Sequence, residues 1–179
     1  QPSMDLRDLA GAQPAHAVID MGGGASRLVD HLVTLGYRDL SVLDLSGAAL
    51  DLARARLGAA AEAVDWIVAD ASQWIPERQY DIWHDRAAFH FLTEPAQQHA
   101  YMDILRSALR PQGRVIIGTF APDGPEKCSG LPVARHDAVS LGALLGDGFR
   151  LLDTRRHEHV TPWGSVQKFQ FSTFARQGG

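Results

Sequence analysis

Four aspartates stand at or beside the ends of short apolar runs: Asp20, Asp44, Asp70 and Asp85. An ionised carboxylate only accepts hydrogen bonds, so such a row suits a ligand rich in hydroxyls, amines or positive charge. Two histidines, His84 and His90, flank the last of the four. Imidazole titrates close to neutrality, so each is a candidate proton carrier, as is Asp85 itself. Just past Asp20 lie three glycines, Gly22, Gly23 and Gly24, with no Cβ to keep a ligand off the backbone.

These residues need elements to bring them together. Ala17 to Met21 predicts a strand, and the glycines after it a tight turn. Leu28, Val29, Leu32, Val33 and Leu35 then share a helical face over roughly 25–36, ended by Gly36. Leu40–Asp44 is a second strand, followed by a helix that Ser46 caps and whose face is Leu50, Ala53 and Leu57. Val64–Val68 is a third strand and Tyr80–His84 a fourth, running into Asp85 and Arg86. Thr93, Glu94 and Pro95 open a helix with Tyr101, Ile104, Leu105 and Leu109 on one face. A fifth strand runs from Arg114 to Thr119.

Strands alternating with helices imply a parallel sheet covered on both faces. The ending differs: a loop rich in proline and glycine (122–132), a helix near 139–145, then two strands, 149–158 and 167–174. The short link between the last two fits a hairpin, so the final strand is expected to be antiparallel. The expected fold is a doubly wound, mostly parallel seven-stranded α/β sheet with a C-terminal antiparallel hairpin and helices on both faces. A single domain is expected: a cover segment (1–16), a ligand-binding core (17–120) and a substrate-side loop, helix and hairpin (121–179). The cover segment and the 122–132 loop are expected to roof the site and keep water out.

A glycine turn alone is a weak signal. A dinucleotide turn reads G-x-G-x-x-G, and here Gly22 and Gly24 fit but Arg27 holds the third position. The acid also precedes the glycines. This arrangement resembles motif I of the class I (Rossmann-like) S-adenosylmethionine-dependent methyltransferases, D/E-x-G-x-G-x. Asp20, Gly22 and Gly24 match it, and Ser26 stands where a further glycine often does. Asp44 comes 20 residues after Gly24, the spacing at which an acid reaches ribose hydroxyls. By resemblance, Asp70 accepts from the adenine amine beside the Ala71 N–H, and Leu45 covers an adenine face. The resemblance thus places S-adenosylmethionine on Asp20, Gly22, Gly23, Gly24, Asp44, Leu45, Ser46, Asp70, Ala71, Asp85 and Arg86, and makes the chain a transferase.

The run Asp85-Arg86-Ala87-Ala88-Phe89-His90-Phe91-Leu92 sits where the family places its fourth motif, between methyl donor and acceptor. It is similar to the D-K-G-x-L-x-x-L run of certain protein-lysine methyltransferases, with Arg86 for lysine and Ala87 for glycine. Bacterial small-molecule methyltransferases look equally similar. Asp85 and His90 are the expected catalytic pair: a helical turn begun at Arg86 would set His90 over the strand ends, to hold or deprotonate the acceptor. The acceptor is a small thiol, amine or carboxylate, with a protein lysine as the alternative. The rivals are a nicotinamide-dependent oxidoreductase and a binding protein without catalysis.

With 179 residues and a net charge of −4, the chain is one ordinary domain with no electrostatic grip on nucleic acid or anionic membrane. No apolar run reaches membrane-spanning length and no signal peptide is visible, so a cytoplasmic location is expected. A lone cysteine, Cys128, allows no internal disulfide framework. Cys128, His136, His157 and His159 match no zinc spacing, so no metal is expected. Trp163 at the hairpin tip is a candidate lining of the acceptor pocket.

Overall fold

The computed structural model describes residues 11–86, 88–128 and 131–177. Residues 1–10, most of the expected cover segment, lie outside them, as do Ala87, Ser129 and Gly130. The strands are β1 (Val18–Met21), β2 (Leu40–Asp44), β3 (Val64–Val68), β4 (Tyr80–Arg86), β5 (Leu109–Phe120), the two-residue β6 (Lys127–Cys128) and β7 (Leu131–Pro132), β8 (Phe149–Val160) and β9 (Val166–Arg176). The helices are α1 (Leu28–Thr34), α2 (Gly47–Leu57), α3 (Pro95–Ala108) and α4 (Ala138–Leu145).

Seven strands form the main sheet in the order β3-β2-β1-β4-β5-β9-β8. The first five are parallel, and β9 runs antiparallel to both β5 and β8. The chain leaves β1 outward to β2 and β3, then returns to β4 on the other side of β1. This reversal makes the β1/β4 boundary the topological switch point, where a crevice opens beyond the carboxyl ends of the strands. All four residues of β1 are buried, as a central parallel strand requires.

Alternation along the strands sorts side chains into two cores. Val18, Ile82 and Ile116 pack with Leu28, Val29 and Leu32 of α1 and Leu50 of α2. Ile19, Trp83 and Val115 pack with Tyr101 and Leu105 of α3 and Leu141 and Leu145 of α4. Between β3 and β4 the chain crosses without a helix, and Trp74 covers that part of the second core, 6.3 Å from the Trp83 ring. The predicted first helix is shorter than expected: the glycine turn itself winds as a 3₁₀ segment, Gly23–Ala25, and α1 starts only at Leu28. Arg56 of α2 grips Asp30 of α1 through two hydrogen bonds and reaches the carbonyl of Ser26, fixing both helices behind the turn. That guanidinium lowers the Asp30 pKa.

The extra length of β5 carries it from Leu109 through Phe120, and the hairpin pairs Phe120 with Phe169. The β8–β9 tip therefore projects past the carboxyl ends of the parallel strands. Trp163 at that tip is 77 % exposed. No helix among the described residues is long and apolar enough to cross a membrane.

Candidate functional site

The switch point is occupied by a buried pair. Asp20 and His84 face each other in the β1–β4 register, and His84 Nδ1 lies 2.8 Å from Asp20 Oδ1. With Asp20 as a carboxylate, Nδ1 must carry the proton, and Nε2 offers a lone pair. Neither Asp20 Oδ2 nor His84 Nε2 has a partner, although both are buried. Oδ2 points at the turn: a Cβ on Gly23 would stand 2.5 Å from it. Gly22 takes the left-handed conformation (φ 70°) that reverses the chain here, and its N–H donates to the Leu43 carbonyl at 2.7 Å.

Asp44 ends β2 beside the turn. Its Oδ2 accepts from Gly24 N–H at 3.0 Å and its Oδ1 from Ser46 N–H at 2.9 Å. Each oxygen has a second lone pair with which it can accept from a hydroxyl. Ser46 caps α2 by accepting from Ala49 N–H. Leu45 between them is 72 % exposed, an apolar surface left uncovered at the mouth. Asp70 Oδ1 accepts from the backbone N–H and the hydroxyl of Ser72. Ala71 beside it is half-buried against the second core.

The fourth aspartate sits differently from the expectation. β4 continues through Arg86, so Asp85 shares the face of Trp83 and points into the core beneath α3. It is 0 % exposed. Its carboxylate accepts from Ala88 and Phe89 N–H and from the Tyr101 hydroxyl at 2.5 Å. Tyr101 in turn accepts from Trp83 Nε1 at 2.9 Å. Burial pushes the Asp85 pKa up to about 6, against the opposing pull of these donors. Every acceptor direction is committed, so Asp85 shapes the following turn and does not face an acceptor. Sequence reasoning missed Tyr101 as its partner. The signal was a phenol on an otherwise apolar helical face, whose hydroxyl needs a buried mate.

His90 lies in the 3₁₀ turn Phe89–Phe91, not in a helix begun at Arg86. It is fully buried between the Phe91 and Phe120 rings. Phe120 N–H donates to His90 Nδ1 at 3.3 Å, so in the neutral ring Nε2 holds the proton. Burial first, and then His136, lowers its pKa to about 4. His90 is thus a neutral donor with no acceptor, not the proton acceptor its position suggested. His136 also has a buried, unpartnered Nε2, and its backbone is tied to Phe120 and Thr119 at the end of β5. Of the five buried side-chain polar atoms without partners among the described residues, four belong to Asp20, His84, His90 and His136. All four cluster at the carboxyl edge of the parallel strands. Native chains pair nearly all such atoms, so this edge is built for a polar ligand.

Arg86, the remaining expected contact, is half-buried and stacks over the Phe169 ring at 5.1 Å. Cys128 is half-buried against the first core, and His157 and His159 lie on the outer strand β8, apart from it. No group of three or more metal-ligating side chains occurs among the described residues.

A family model described as a methyltransferase domain matches residues 18–113, from β1 into the start of β5. The chain belongs to this methyltransferase domain family. No curated protein matches it. Solved structures share the fold. The 1,6-didemethyltoxoflavin-N1-methyltransferase of Burkholderia thailandensis, with bound 1,6-didemethyltoxoflavin and S-adenosylhomocysteine, is 23% identical with a TM-score of 0.70, over 91% of this chain and 72% of that one. The N-methyltransferase NodS of Bradyrhizobium japonicum WM9 is 15% identical with a TM-score of 0.75, over 96% and 92%. A SAM-dependent methyltransferase of Methanosarcina mazei is 16% identical with a TM-score of 0.77, over 97% of both.

The buried histidines and the buried acid behind the turn act on stability with opposite signs. The lowered His90 pKa contributes stability above pH 6.5 that is lost as pH falls toward 4. His136, also lowered by burial, acts in the same direction. The raised Asp85 pKa contributes stability below pH 3.8 that is lost as pH rises through 6. His90 and Asp85 each contribute about 3 kcal/mol, so they offset one another between pH 4 and 6. Removing the acid exposes the histidine: urea titrations of Asp85→Asn should lose about 3 kcal/mol more than the native chain between pH 6.5 and 4. Parallel pH profiles for the two proteins would contradict these assignments.

Proposed function

We propose that the chain transfers a methyl group from S-adenosylmethionine to a small-molecule nucleophile, a thiol, amine or carboxylate, in the cytoplasm. The observation that carries this is the buried, unpartnered Oδ2 of Asp20 against the glycine turn at the switch point. A free carboxylate oxygen there suits an ammonium and repels a pyrophosphate, which distinguishes this cofactor from a nicotinamide dinucleotide. Asp44, Leu45 and Asp70 lie along the same edge in the order needed for ribose hydroxyls, an adenine face and an exocyclic amine. Gly22, Gly23 and Gly24 bring the backbone close, and Ser46 and Ala71 frame the adenosine end.

When bound, S-adenosylmethionine supplies a sulfonium methyl open to in-line displacement. The chain's task is then to align the acceptor and exclude water. His90 donates Nε2–H to a lone pair on the acceptor and so orients it. Asp85, through Ala88 and Phe89, holds the turn that carries His90. Ala12, ahead of β1, packs on the first core. Turnover with a panel of thiol, amine and carboxylate acceptors tests the activity. Cofactor binding without turnover of any of them, or of a lysine peptide, would leave a binding protein instead.

Asp44→Ala should weaken S-adenosylhomocysteine by about ten- to a hundred-fold, the loss of charge-assisted ribose bonds worth about 1.5–3 kcal/mol. The substitution also frees Gly24 and Ser46 N–H, so the turn loosens with it. A change under twofold in calorimetry would show that another group holds the ribose.

A further inference from the structure

β4 leaves two of its side chains with unused hydrogen-bonding groups on the face that carries Asp20. His84 is fully buried, with its Nε2 lone pair unused. Arg86 is two residues further along, on the same face, level with Gly22 by continuation of the β1–β4 register. Among the described residues its guanidinium makes no hydrogen bond or ion pair, and its stacking on Phe169 satisfies a face and none of the five N–H groups. Burial lowers the Arg86 pKa, and the Asp20 carboxylate opposes this. A half-buried guanidinium left unpaired is costly, and an anion placed there removes the cost.

The crevice therefore offers acceptors at one point, Asp20 Oδ2 and His84 Nε2, and a fork of donors one strand step away, about 6–7 Å along β4. An α-amino acid carries an ammonium and a carboxylate on one carbon and matches both. We propose that His84 and Arg86 hold the amino-acid end of S-adenosylmethionine, a reading that rests on the cofactor assignment above. His84 Nε2 accepts from the ammonium beside Asp20, and Arg86 donates to the carboxylate.

Calorimetry with S-adenosylhomocysteine and with 5′-methylthioadenosine, which lacks the amino-acid end, tests this. The native chain should bind both. R86Q should weaken S-adenosylhomocysteine at least tenfold and leave methylthioadenosine within twofold, and H84F should show the same selectivity. R86Q decides if H84F loses both nucleosides through misfolding. Unchanged S-adenosylhomocysteine affinity in R86Q overturns the proposal, and a raised acceptor KM in that variant would assign the anion to the acceptor. Equal weakening of both nucleosides also overturns it, because Arg86 would then be structural. A native chain that binds neither nucleoside refutes the cofactor assignment instead.

Discussion

Gly22→Val is expected to reduce S-adenosylhomocysteine binding below detection, a loss of a hundredfold or more. Two constraints meet at this residue. Its φ of 70° is left-handed, a conformation that a β-branched side chain adopts only under strain of about 1–3 kcal/mol. Its Cβ would also stand 2.7 Å from the Cβ of Ala88. By sequence, a side chain here keeps the ligand off the backbone. The structure adds a contact within the chain, so valine shifts both the glycine turn and the turn that carries His90. Cooperative unfolding should persist at a lower midpoint, because both cores lie below the turn. Native-like affinity in a folded Gly22→Val chain would show that the turn does not touch the ligand.

Asp85→Ala is expected to cost about 2–4 kcal/mol of stability, whereas Asp85→Asn stays within about 1 kcal/mol at neutral pH. Alanine leaves the Tyr101 hydroxyl and the N–H groups of Ala88 and Phe89 buried without an acceptor. Each orphan costs about 1–3 kcal/mol, partly offset because a buried charge is no longer desolvated. Asparagine keeps an oxygen to accept from the turn; its amide donates to the Tyr101 oxygen, and the acceptor that the Tyr101 hydrogen loses is offset by removing a buried charge. Turnover should follow the same order, since His90 is carried by that turn. Equal denaturation midpoints for the alanine variant and the native chain would contradict a positioning role.

Much of this was legible before the structure. The short, mostly apolar runs Val18–Met21 and Leu40–Asp44, alternating with helical patterns, read as parallel strands, and the Asp44 carboxylate 20 residues after Gly24 lies 3.0 Å from the Gly24 nitrogen. The hairpin followed from the short link before Val166. The surroundings of Asp85 and His90 were less legible, because side-chain direction at a strand end turns on a single residue of length. β4 runs two residues past His84, and that parity sends Asp85 under α3 while His84 and Arg86 face the crevice. The state of the imidazoles was not legible either. It depends on Phe120 donating to His90 and Asp20 facing His84, pairings between distant segments that no local pattern encodes.

Calorimetric titration of the native chain with S-adenosylhomocysteine, and separately with NAD, tests the central claim most directly. A free Asp20 oxygen at the switch point predicts saturable heat with S-adenosylhomocysteine and none with NAD. Heat with NAD and none with S-adenosylhomocysteine would contradict it.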